Sequence, residues 1–187
     1  MSKRTLLASM LFILVAAGGC RKESSLSEYE SPDAQAKGYN FIVYPGSRFL
    51  AELTEMVKKA HFVIVPTDKE APATAIYDTD APLEDVATFY AKQYGYGKVA
   101  PDVTGNLSSA KPPAYYTSGD LHADELTVKP ILDKMNVQVD YSKAKGKYRG
   151  ANIDAQPNRP HVTLSRPYFD TVSQKVIDRT MIMLIRE

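Results

Sequence analysis

The chain has 187 residues, with 23 Lys and Arg against 22 Asp and Glu, a net charge of +1, 44% hydrophobic residues and one cysteine. That balance leaves no global charge to draw the chain toward nucleic acid or bulk anionic membrane. The length suits one ordinary domain behind a leader, and a single cysteine excludes any internal disulfide.

In chain order, Lys3 and Arg4 form a positive start, Leu6 to Ala17 a largely apolar run, and Ala17-Gly18-Gly19 a small-residue approach to Cys20. This is the layout of a secretory signal peptide spanning residues 1–19. The run is too short for a hydrocarbon core of ~30 Å, which takes about 20 helical residues. With Cys20 at its end, the segment resembles the signal of bacterial lipoproteins. The resemblance implies cleavage before Cys20, acylation of its sulfur with a palmitate-type chain, and retention in the cell envelope. Arg21 stands after the cysteine where Asp would favour inner-membrane retention, so the same resemblance implies an outer-membrane protein facing the periplasm. Several acyl chains on one cysteine hold stably, at ~0.8 kcal/mol per buried methylene.

Removing residues 1–19 deletes Lys3 and Arg4, which leaves 21 basic against 22 acidic residues. Residues 20–39 are expected to form the acylated N-terminus and a disordered tether. Their stretch Arg21 to Lys37 offers only Leu26 and Tyr29 as larger apolar groups, too little to offset chain entropy. Residues 40–187 are then a single globular domain.

Phe41 to Tyr44 predicts a short strand stopped by Pro45-Gly46. Ser47 is placed to cap a helix over Arg48 to Ala60, followed by an apolar tetrad, Phe62 to Val65, ended by Pro66. Thr74 to Tyr77 predicts a strand. Pro82 to Tyr94 predicts a helix with a stripe of Leu83, Val86, Ala87, Tyr90 and Tyr94, and with Gly95 as its left-handed exit. Val99 to Gly119 reads as loop, and Asp120 as the cap of a helix ending near Met135, with Pro130 as a kink. Strands follow over Lys147 to Asp154, His161 to Tyr168 and Arg179 to Arg186, the first two joined by the turn-rich Ala155 to Pro160. Met181 to Ile185 reads as a central strand buried on both faces. The fold class is α+β: an antiparallel sheet built largely from C-terminal strands, with two or three helices packed on one face. Tyr44-Pro-Gly-Ser47 and Tyr77 to Val86, with Phe89-Tyr90, resemble small exported bacterial domains. That likeness implies a fold type and no activity.

Asp78, Asp80, Glu84 and Asp85 form the densest carboxylate cluster. They lack the Gly and the loop length of a calcium site, and helix capping accounts for them without a ligand. His61, His122 and His161 have no short ligand spacing, even with Asp124 or Glu125 nearby. No nucleophile motif or phosphate loop is present in the sequence. No catalytic residue, metal or cofactor is therefore assigned. Lys143, Lys145, Lys147 and Arg149 alternate, so an extended backbone would align four cations as an anion-binding stripe. The competing readings are a lysine-protected edge strand or a loop around Gly146. Pro112 to Tyr116 with Tyr94 and Tyr96 offers an aromatic platform for a glycan, or else a cover for the sheet. The expected function is a non-enzymatic binding or assembly module, tethered to the membrane and meeting an envelope protein or glycan. The alternative is an envelope hydrolase or sugar-active enzyme using Asp78, Asp80 or His122.

Overall fold

The computed structural model describes residues 27–28, 41–64, 71–96, 100–102, 114–123 and 125–186. The signal segment, Cys20, most of the tether, Asp124 and Pro112-Pro113 lie outside them. Within the tether span, β1 (Ser27–Glu28) pairs antiparallel with β2 (Ile42–Val43).

The chain then runs through β3 (Arg48–Phe49), α1 (Ala51–Ile64), β4 (Ala73–Thr79), α2 (Leu83–Gln93), β5 (Ala100–Asp102) and β6 (Ala114–Asp120). It continues through α3 (Glu125–Lys134), β7 (Lys147–Ile153), β8 (His161–Arg166), β9 (Tyr168–Asp170), β10 (Lys175–Ile177) and β11 (Thr180–Arg186). Seven strands form one sheet in the order β3-β4-β11-β8-β7-β6-β5. Every pair is antiparallel except β5 with β6. The fold is α+β, and C-terminal strands occupy the middle of the sheet. Among the described residues no helix is long and apolar enough to cross a membrane.

Helix α2 forms where its stripe predicts, and buries Leu83, Val86, Ala87, Tyr90 and Ala91. They pack on Tyr77, Ala151, Ile153, Val162, Leu164, Ile182 and Leu184 from four strands. Gly95 takes φ +71°, which lets Tyr96 N donate to Ala91 O (2.9 Å) and closes the helix end. The N-terminus corrects the capping expectation. Pro82 occupies the cap position with no side-chain hydrogen bond, and Asp78 lies inside β4.

The start of the domain differs more. Arg48 and Phe49 pair with Asp78 and Tyr77 as an edge strand, so the helix begins three residues later than expected and Ser47 does not cap it. Leu50 N continues the ladder to Ile76 O (2.8 Å). Thr54 Oγ1 then accepts from Ile76 N (3.0 Å) and donates to Leu50 O (2.9 Å). The first turn of α1 thus satisfies the β4 edge that β3 is too short to cover. The helix carries on past the expected end at Ala60 and into the apolar tetrad, so that Phe62 and Ile64 are helical and exposed. Without Gly or Pro between residues 51 and 64, nothing local stops it before Pro66.

Two further corrections concern the middle of the chain. The expected loop ends in β6, which pairs with β7 through a register shift between Tyr116 and Gly119. Asp120 is consequently a strand residue, whose Oδ1 accepts from His122 N (2.9 Å), and α3 starts at Glu125 with Pro130 inside it. The strand expected over His161 to Tyr168 divides at Pro167, and β9 leaves to form a hairpin with β10.

Alternation along β8 and β11 separates the two faces of the sheet. Val162, Leu164, Ile182 and Leu184 are buried toward α2. In β11 the other face carries Met181, Met183 and Ile185, half-buried, so this strand is central but not sealed on both sides. Two helices share that second face: Met56 of α1 and Leu132 of α3 gather with Leu121, Tyr141, Ala144, Tyr148 and Phe169.

Candidate functional site

Asp78 is fully buried in β4. Arg48 donates to it through Nε (3.1 Å) and Nη2 (2.7 Å), Tyr168 OH donates at 2.9 Å, and Arg179 Nε lies 3.1 Å away. Two cations and a hydroxyl are what a buried carboxylate needs. The hydrogen bond and charge of Asp78 raise the Arg48 pKa further. Burial, then the Asp78 hydrogen bond, push the Tyr168 phenol well above the ordinary range.

Next to this group, Arg179 also pairs with Asp80, and Arg166 donates to Asp178 Oδ1 (3.1 Å) and to the carbonyls of Asp80 (2.9 Å) and Ala81 (3.0 Å). On β7, Arg149 pairs with Glu84. Arg48, Arg179, Arg166 and Arg149 therefore cross one end of the sheet, each answered by an acid.

His122 stands apart. It follows β6, four inter-strand steps from β4, or about 19 Å at the usual strand spacing. Its Nε2 lies 3.1 Å from Glu125 Oε2 and its ring rests against Tyr141. Asp78, Asp80 and His122 do not meet. His61 lies in the last turn of α1 beside Phe62, and His161 sits on β8, where burial lowers its pKa. Among the described residues, no three His, Cys, Asp or Glu side chains lie together as a metal site.

The four alternating cations are separated by the backbone. Lys143 closes a 3-10 turn (Tyr141–Lys143) and lies 3.5 Å from Asp140; only Lys147 and Arg149 share a strand. Strand β7 lies between β6 and β8, so the edge-strand reading does not hold. Tyr94 and Tyr96 stack over the α2 side of the sheet. The Tyr94 hydroxyl donates to Pro160 O (2.6 Å), and Arg159 covers its ring.

What the sequence reading missed is a cleft of about 260 Å³ on the opposite face. Its floor is Thr163 and Ser165 of β8 with Met181 and Met183 of β11. Its walls are Tyr148 of β7, Tyr168 and Phe169 of β9, and Tyr141; Leu121, Val128 and Thr171 complete it. Tyr141 and Phe169 pack tilted at 6.0 Å between centroids. The Tyr168 wall is the same ring that donates to Asp78, so the buried ion group holds one side of the cleft. One signal was present in the sequence: β8 and β11 each alternate strongly apolar residues with Thr, Ser or Met, leaving a second face less suited to a closed core. The aromatic walls come from three separate elements and carry no common spacing.

No known family model, curated protein or solved structure matches the chain, so the site is read from its own geometry.

Proposed function

We propose that this protein is an exported, lipid-anchored module of the cell envelope that acts by binding, with the cleft on the Met181–Met183 face as its recognition site. One observation carries the binding half of this reading. The ionisable side chains weighed for catalysis are engaged in ion pairs at separate places, whereas the cleft gathers apolar, aromatic and hydroxyl groups. The layout of residues 1–19, ending in the sole cysteine, supports the anchor. The part of the tether before β1, Arg21 to Leu26, would let the domain stand off the bilayer and reach an envelope protein or glycan in the periplasm. Arg21 after Cys20, in place of Asp, favours export of the anchor to the outer membrane.

The first test is Cys20→Ala. Metabolic palmitate labelling and membrane retention should both be lost in the variant, while the domain still folds. Labelling that persists without the thiol would refute acylation at Cys20.

A further inference from the structure

We propose that the cleft takes an uncharged ligand the size of one ring bearing a single hydrogen-bonding substituent, and that the Gly119–Tyr148 pair sets its width. This deepens the binding reading and rests on it for its biological meaning, although occupancy of the cleft is independent of the anchor.

Size is the first argument. An apolar cavity of roughly 150 Å³ accommodates benzene, and sites for drug-sized ligands run from about 300 Å³ upward. At about 260 Å³ the cleft lies between them, enough for one substituted ring. Charge is the second. Among the described residues no Asp, Glu, Lys, Arg or His lines the cleft, so a charged ligand would lose its hydration without a counter-charge from them. On the floor the Ser165 hydroxyl can donate to or accept from a neutral substituent, and the Thr163 hydroxyl, which donates to Asn152 Oδ1 (3.4 Å), can accept from one. Beside them, the Met181 and Met183 thioethers adapt to a ring edge.

The third argument is that the walls are held from outside the cleft. Tyr168 is fixed through its bond to buried Asp78 (2.9 Å), itself clamped by Arg48 and Arg179. Across the cleft, Tyr148 is paired in register with Gly119, and its ring lies so close over the glycine that a Cβ there would fall inside it. Glycine is required at this point for the close approach, and an aromatic ring laid over a strand glycine is a known way of covering it. Walls set in advance reduce what binding must spend on ordering.

The test uses the mature protein labelled with 13C at the methionine methyl groups, titrated with phenol and, as a charged probe built on the same ring, benzoate near neutral pH. Phenol should move the Met181 and Met183 signals saturably, with a Kd on the order of 1 mM for about seven heavy atoms. Met135, which does not line the cleft, should stay in place, and benzoate should bind at least about tenfold more weakly. Ser165→Leu fills the floor and should abolish the response. Gly119→Ala displaces the Tyr148 ring and should change the phenol affinity several-fold, in contrast to a surface substitution such as Lys145→Ala. The proposal is overturned by non-saturating shifts, by equal response to benzoate, or by a response that survives Ser165→Leu. Should Ser165→Leu fail to fold, the wild-type comparison of phenol with benzoate decides alone. A phenol-silent protein that is still palmitate-labelled removes the ligand and leaves the anchor standing.

Discussion

The two faces of the sheet are built from the same strands and have opposite characters. Toward α2, Val162, Leu164, Ile182 and Leu184 interlock with Leu83, Val86, Ala87 and Tyr90, and all eight are fully buried. On the other side Thr163, Ser165, Met181 and Met183 are only half-buried and form the floor of the cleft. Close packing of the first face carries stability, because every methylene removed there leaves a void. The second face gives up some of that packing for an accessible concavity. The contrast arises within single strands: neighbours one residue apart point to different sides.

Paired truncations should expose the difference most strongly. Leu184→Ala should cost about 3–5 kcal/mol in urea unfolding, the upper part of the range for a fully buried leucine, whereas Met183→Ala should cost only about 1–2 kcal/mol. Equal losses would show that the second face is packed as tightly as the first. Asp78→Asn comes next. It removes the charge that faces Arg48 and Arg179 and should cost about 3 kcal/mol. That is the low end for breaking a buried pair, because the Arg48 side chain, 63% exposed, can return to water. The same variant should loosen the Tyr168 wall and alter the phenol response, linking the ion group to the cleft; an unaltered response would separate them.

The smallest effect is expected from pH. Burial lowers the folded-state pKa of His161 below its ordinary value, with Asp154 opposing the shift. Between the folded and unfolded values the unfolded chain binds more protons, so stability is complete above about pH 6.5 and falls as pH drops toward the folded pKa. His161→Gln should therefore flatten the pH dependence of the unfolding midpoint on the acid side, read by equilibrium unfolding at several pH values. A steeper acid limb in the variant would contradict this. At the alkaline end the sign reverses. Tyr90 and Tyr94 have pKa values raised chiefly by burial, so the α2 face should lose stability as pH rises above about 10.

Much of the fold was legible because its signals are local. The stripe and the Gly95 exit specify α2, and strand-like stretches bounded by turn residues, with the continuous apolar run Met181 to Ile185 in the last, specify β7, β8 and β11. The misreadings share a cause. Arg48 and Phe49 look helical until the β4 edge claims them, and Ala114–Asp120 looks like loop until β7 supplies its partner. Asp78 reads as a helix cap beside Pro82, but strand pairing carries it inside and supplies Arg48 opposite. Sequence spacing could not gather Arg48, Arg149, Arg166 and Arg179 into a row, since they come from opposite ends of the domain. Conversely, the spacing that aligned Lys143, Lys145, Lys147 and Arg149 failed where a 3-10 turn and Gly146 (φ +120°) interrupt the extended backbone.

The sequence by itself determined the α+β class, the helix α2, the central place of β11 and the expectation of an anchor at Cys20, because each rests on residues within one turn or one strand of each other. Tertiary structure alone decided the burial of Asp78, the contrast between the two faces and the cleft between them. Those depend on which strands become neighbours, and strand order is settled by long-range pairing that no local pattern records.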